Sequence, residues 1–219
     1  MTHQYWQLAH ILLLVFWLGA DVGVWLSMLF VKDARLPFAA RAAIVRLAFW
    51  IDLSPRFAFA LMIPVGTQLA ADLGLLPGTA AWRIGAWALG LGWCALHFVV
   101  VRCKASVLAA RLRTANVAFE WLAGLSLAAA GIASLLGFGP LPWSWFAAKL
   151  LLFGLIFLVV VGIDTKFQPF TMLLRAGPDG LTPATERAIT RATDITLAWA
   201  LLLYALILLV AWFGKLKPF

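Results

Sequence analysis

Six long apolar runs dominate the sequence: Trp6 to Val31, Leu53 to Ala71, Trp82 to Val101, Val117 to Leu136, Trp143 to Ile163 and Ile195 to Phe213. Each holds about 20 residues or more, the length a helix rising 1.5 Å per residue needs to cross the hydrocarbon core of a bilayer. In that medium every backbone N–H and C=O must be satisfied within the protein, and apolar runs without strand-like alternation select the α-helix. The runs and their short connections use up nearly all of the 219 residues, so a water-soluble fold is excluded. The chain reads as one transmembrane domain, residues 1–219, an all-α polytopic bundle of about six transmembrane helices. A charged fraction of 12% against an apolar fraction of 64% agrees with this, since soluble domains carry about 25% charged residues.

The formal charge of +8 raises nucleic acid as a partner, but the basic residues are spread over short connections rather than gathered on one module. They report topology instead. Lys32, Arg35, Arg41, Arg46 and Arg56 surround the first connection; Arg102, Lys104, Arg111 and Arg113 the third; Lys166, Arg175, Arg187 and Arg191 the fifth. These are thirteen of the seventeen Lys and Arg. The opposite side keeps Arg83, Lys149, Lys215 and Lys217. The positive-inside bias therefore places the chain in an inner membrane with the N and C termini periplasmic.

Between the first two spans, Pro37 to Trp50 sets Arg41 and Arg46 among apolar residues, a pattern for a short anchoring helix at the cytoplasmic interface. The second span opens Asp52-Leu53-Ser54-Pro55, with Asp52 as capping side chain, and carries Pro64 and Gly66, which predict a kink. The longest loop, Lys166 to Arg191, predicts a turn at Gly177-Pro178-Asp179-Gly180 and a helix start at Thr182-Pro183. The first apolar run lacks a basic n-region and is too long for a signal h-region, so no cleavable signal is expected. Cys94 and Cys103 form neither a CxxC motif nor two pairs and read as ordinary thiols. Most of the twelve Trp, including Trp6, Trp82, Trp143, Trp145 and Trp212, suit an aromatic belt.

Function must then lie in the few polar groups of the spans, because ionisable side chains in a bilayer are costly. His10, Asp21, His97 and Lys149 lie within spans; Asp52, Arg56, Glu120, Asp164 and Asp194 lie near their cytoplasmic ends. His10 and Asp21 are eleven residues apart and share a face of the first span with Trp17 and Met28. Gly19 and Gly23 form a small-xxx-small pair on the opposite face, open to a second helix. Ala86/Gly90 and Gly124/Ala128 repeat the spacing and fit packing in a homo-oligomer or a larger complex. Depth divides the polar groups into an outer layer, His10 and Lys149, and an inner layer, Asp21, His97 and Arg56. Asp21 stands about 16 Å deeper than His10.

This separation disfavours one haem held by both histidines but leaves a haem on His10, or one on each of His10 and His97. The same imidazoles and carboxylates suit a divalent metal, with Asp21 and His97 joined by Asp52 or Glu120. A proton or substrate relay through Asp21, Arg56 and Lys149 is a third use.

The segments Leu8-Ala9-His10-Ile11, Trp17-Leu18-Gly19-Ala20 and Trp145-Phe146-Ala147-Ala148-Lys149-Leu150-Leu151 resemble two helical membrane families, the CopD-type copper-resistance proteins and the HemJ-type protoporphyrinogen oxidases. The resemblance covers about two of the six spans. It implies haem b on His10, with Trp17 beside it, a propionate or substrate carboxylate on Lys149, and a quinone or porphyrin as redox partner. Three readings follow. A haem b redox protein uses Asp21, Arg56 and Lys149 in its chemistry; a transporter moves a metal ion such as copper, or a small solute, through Asp21, His97 and Arg56; a noncatalytic subunit packs in a larger assembly. No phosphate loop, HExxH or Ser-His-Asp pattern supports a hydrolase or a nucleotide-driven machine.

Overall fold

In a computed structural model, residues 2–103, 107–166 and 168–217 are described, and every regular element among them is helical. Lys104 lies outside the described residues, as does the side chain of Lys166. The helices are α1 (Thr2–Val31), α2 (Phe38–Ile51), α3 (Leu53–Asp72), α4 (Ala80–Cys103), α5 (Val107–Leu135), α6 (Ser144–Lys166), α7 (Pro169–Ala176) and α8 (Pro183–Leu216). Six helical stretches are long and apolar enough to cross a membrane, the second being α2 and α3 taken together. Large apolar side chains such as Phe16, Ile84, Leu122 and Leu208 remain exposed on these stretches. Such surface is untenable in water and ordinary against lipid.

The ends of the helices follow local chemistry. Gly74 adopts φ +73° just past α3, and the bonds Gly74 N–H to Ala71 O (3.1 Å) and Leu75 N–H to Ala70 O (2.8 Å) close a Schellman turn. Gly137 does the same for α5 at φ +87°. Thr182 caps α8 as expected, its hydroxyl oxygen accepting from Thr185 N–H at 3.2 Å. Asp52 differs from expectation: its backbone is helical and its side chain makes no capping bond. The Asp52 carboxylate instead accepts from Arg56 Nε at 2.7 Å, an i,i+4 pair. Arg111 and Arg113, read from the sequence as loop residues, stand on the first turns of α5, which starts at Val107. The long loop contains one more helix, α7, before the turn at Gly177.

By packing, the chain divides into two compact units. The first comprises Met1–Val22 and Trp50–Asn116; the second comprises Gly23–Phe49 and Val117–Phe219. In the first, α3 and α4 are antiparallel neighbours tied at one end by Arg83 Nη2 to Asp72 Oδ1 at 2.9 Å. Their register is set by Gly90, where an added Cβ would stand 2.6 Å from Pro64 Cδ. The α3 helix runs on through Pro64, and the glycine on α4 receives the pyrrolidine ring. In the second unit α5 and α6 meet through small residues. A Cβ on Gly154 would stand 2.6 Å from both Ala128 N and Gly124 O, and one on Gly131 would stand 2.7 Å from Ala147 O. The Gly124/Ala128 and Ala86/Gly90 spacings thus include glycines already used in contacts within the chain. A Cβ added at Gly19 would meet no atom of another element within 4 Å among the described residues.

Candidate functional site

In the first unit, α1 and α3 bring His10 to Gly66. A Cβ on Gly66 would stand 3.4 Å from His10 Cε1 and 3.8 Å from Nδ1, so the imidazole lies against bare glycine backbone. His10 is half-buried with its Nδ1 atom enclosed. Trp6, one helical turn earlier on the same face of α1, pairs with Trp87 of α4 at 6.1 Å between ring centroids.

Toward the other end of the same unit, rings from three helices form a continuous array. Trp17 of α1 meets Phe59 of α3 at 4.7 Å, Phe59 meets Trp93 of α4 at 5.2 Å, and Trp93 meets His97 at 5.5 Å. Trp17, Phe59, Trp93 and His97 are all buried, His97 at 7% exposure. Trp93 Nε1 donates to Asn116 Oδ1 at 2.7 Å, which satisfies the indole N–H inside the apolar array. The Pro64–Gly90 register gives the spacing of the two histidines. Gly66, against which the His10 imidazole lies, is two residues from Pro64 toward the Asp72 end; His97 lies seven residues from Gly90 in the opposite direction. Their levels differ by about 13 Å along the helix pair. The two histidines therefore stand at different levels of the helix pair.

Arg56 is half-buried on α3 and bonded to Asp52, and Asp21 is half-buried on α1. Lys149 belongs to the second unit. It is half-buried on α6, with Nζ 2.7 Å from where a Cβ on Gly214 of α8 would stand. The missing side chain at Gly214 makes room for the ammonium group. Near it Lys217 Nζ stands 5.2 Å from the Trp145 ring centroid, a cation–π arrangement. The structure thus gathers His10, Trp17, Asp21, Arg56 and His97 into one unit and places Lys149 in the other. Glu120, 1% exposed, also belongs to the second unit. Among the described residues no three of His, Cys, Asp and Glu come together as metal ligands would.

One of the two most buried charged side chains among the described residues, the other being Glu120, lies on the helix expected to anchor at the interface. Arg41 of α2 is 1% exposed. Its Nη1 and Nη2 bond to the two carboxylate oxygens of Glu186 on α8, at 2.6 and 2.9 Å, and its Nε donates to the Val31 carbonyl at 2.7 Å. This is the planar fork geometry that favours Arg over Lys. Around it Val31, Val45, Leu173 and Ile189 form a core joined by Phe38, Ile44, Phe170, Met172 and Leu181. A sequence signal existed: Arg41 shares one stripe of α2 with Ala42, Val45 and Ala48, all buried.

These features define a multi-pass helical membrane protein. No family model, no curated protein and no solved structure matches the chain.

Proposed function

We propose that the chain is a haem b-binding redox protein of an inner membrane, both termini periplasmic, with His10 as axial ligand. The carrying observation is the His10 imidazole, lying half-buried on the bare backbone of Gly66. An imidazole inside an apolar span is costly unless it is used. Glycine at the facing position leaves a cradle at the ring that any side chain would narrow. The donor set fits the group, since a single histidine is a common axial ligand of haem iron. The Trp6/Trp87 pair supplies aromatic surface in the same unit. His97 suits the role less well, because its ring is stacked on Trp93 in a filled core.

A bound haem would supply one-electron chemistry. The chain's own part is to orient the imidazole through Gly66, to exclude water with the apolar residues of α1, α3 and α4, and to supply charge. Within the unit of His10, Arg56 is a cation for a propionate and Asp21 a half-buried acid; Lys149, in the other unit, is by the resemblance a contact for a substrate carboxylate. A quinone or porphyrin as redox partner belongs to the same proposal.

The test is the absorption spectrum of purified protein before and after dithionite. The wild type and His97→Ala show a Soret band that shifts on reduction, and His10→Ala loses most of it. A colourless wild type from haem-replete cells overturns the proposal, as does a Soret band that His10→Ala leaves unchanged.

A further inference from the structure

The first turns of α8 carry an open groove of about 570 Å³ lined by Glu186, Arg187, Thr190, Arg191, Asp194 and Ile195. Two carboxylates and two guanidinium groups face it, yet its charges do not cancel within it. Glu186 is engaged by Arg41 at 2.6 Å, and Asp194 by Lys32 at 2.7 Å. Both acids are therefore neutralised from outside the groove. Arg187 and Arg191, one turn apart and both exposed, make no ion pair among the described residues and leave the groove with a surplus of two positive charges. Thr190 stands between them with a hydroxyl able to donate.

The height of this groove on α8 indicates what it meets. The apolar run of α8 starts at Ile195, so Arg191 stands about 6 Å and Arg187 about 12 Å before it. The headgroup layer is about 5–7 Å thick on each side of the hydrocarbon core. Arg191 thus lies at headgroup depth, and Arg187 reaches that depth with its long side chain. The positive-inside bias assigns this end of α8 to the cytoplasmic side, whose leaflet carries the anionic lipids.

We infer that this groove is a binding site for the phosphate headgroup of an anionic phospholipid, held by Arg187 and Arg191 with Thr190 between them. The two arginines form charge-assisted bonds to the phosphate oxygens. The Arg41–Glu186 and Lys32–Asp194 pairs keep the acids from competing for the guanidinium groups. The inference is independent of whether the chain binds haem.

The test uses the full chain in nanodiscs containing phosphatidylcholine and phosphatidylglycerol, with co-purifying lipid counted by mass spectrometry. The wild type retains phosphatidylglycerol in excess of its share of the bilayer. Each Arg→Gln change lowers that preference about fivefold, and R187Q/R191Q abolishes it. R187K/R191K, which keeps the charge, retains most of it. Equal retention by wild type and R187Q/R191Q overturns the inference. Loss of the bound lipid to millimolar inorganic phosphate also overturns it, by marking a site for a free anion.

Discussion

Two arginines, one in each compact unit, show how differently the units use charge. Arg41 in the second unit is sealed from solvent and bonded to a carboxylate 145 residues away in sequence. Arg56 in the first is half-buried and bonded to Asp52, four residues earlier. The first pair joins α2 to α8 and, through the Val31 carbonyl, both to the end of α1; the second lies at the start of one helix. A long-range buried pair fixes which segments meet, whereas a local pair supports a turn that would form anyway. The second unit thus has a polar clamp among apolar side chains, and the first places its histidines among rings and bare glycine.

The largest effect should come from breaking the clamp at its less buried partner. Glu186→Gln leaves the Arg41 guanidinium charge buried and uncompensated, a change that costs about 3 kcal/mol or more. Asp52→Asn should cost no more than about 0.5 kcal/mol, as i,i+4 pairs do. Thermal unfolding of the detergent-solubilised protein ranks the two. Equal losses would remove the distinction between the units. Replacing Arg41 and Glu186 together by methionine should recover much of the stability, because no charge is then left buried without its partner.

A smaller effect tests the first unit. Asn116→Ala removes the acceptor of the Trp93 indole N–H and leaves a buried donor unsatisfied, at about 1–2 kcal/mol. Unfolding followed by tryptophan fluorescence measures it. A loss as large as that of Glu186→Gln would mean that the first unit also depends on a buried polar bond.

Much of this architecture was legible in the sequence, and the parts that were not share a cause. Apolar runs long enough for a bilayer, Gly177-Pro178-Asp179-Gly180 and Thr182 before Pro183 are local signals, and they gave the spans, the turn before α8 and the start of α8. The two levels of His10 and His97 followed from residue counts along helices, and the Pro64–Gly90 contact supports the same spacing. Asp52 was misread because an acidic residue before a helix serves equally well as a cap or as an i,i+4 partner, and Arg56 one turn on decided it. The Arg41–Glu186 pair, the Trp93–Asn116 bond and the room Gly214 leaves for Lys149 are long-range, and nothing in the spacing of either partner announces the other. The division into two units was hidden for a similar reason: α1 and α5 each contribute to both, and no break in composition marks Val22 or Asn116.

The smallest effect belongs to a charge pair outside the spans. Asp33, in the turn after α1, accepts from Arg35 Nε at 2.9 Å, Nη2 at 2.8 Å and the Arg35 backbone N–H at 3.0 Å. These bonds, led by the guanidinium contact, lower the carboxyl pKa from 3.8 to about 2. A carboxyl whose pKa is depressed by folding stabilises the fold above its unfolded pKa, and that contribution fades as pH falls through the folded value. The contribution of Asp33 is therefore complete above about pH 4 and disappears toward about pH 2. Because the turn is solvated, the change should alter the order of the turn rather than the melting of the bundle. Carboxyl-carbon NMR in micelles should give a midpoint near 2 that moves up toward 3.8 in Arg35→Gln. A wild-type midpoint near 3.8 would show the turn open in solution. The contrast with Arg41 would then sharpen, since this exposed pair in the connection between α1 and α2 would contribute nothing to where they meet.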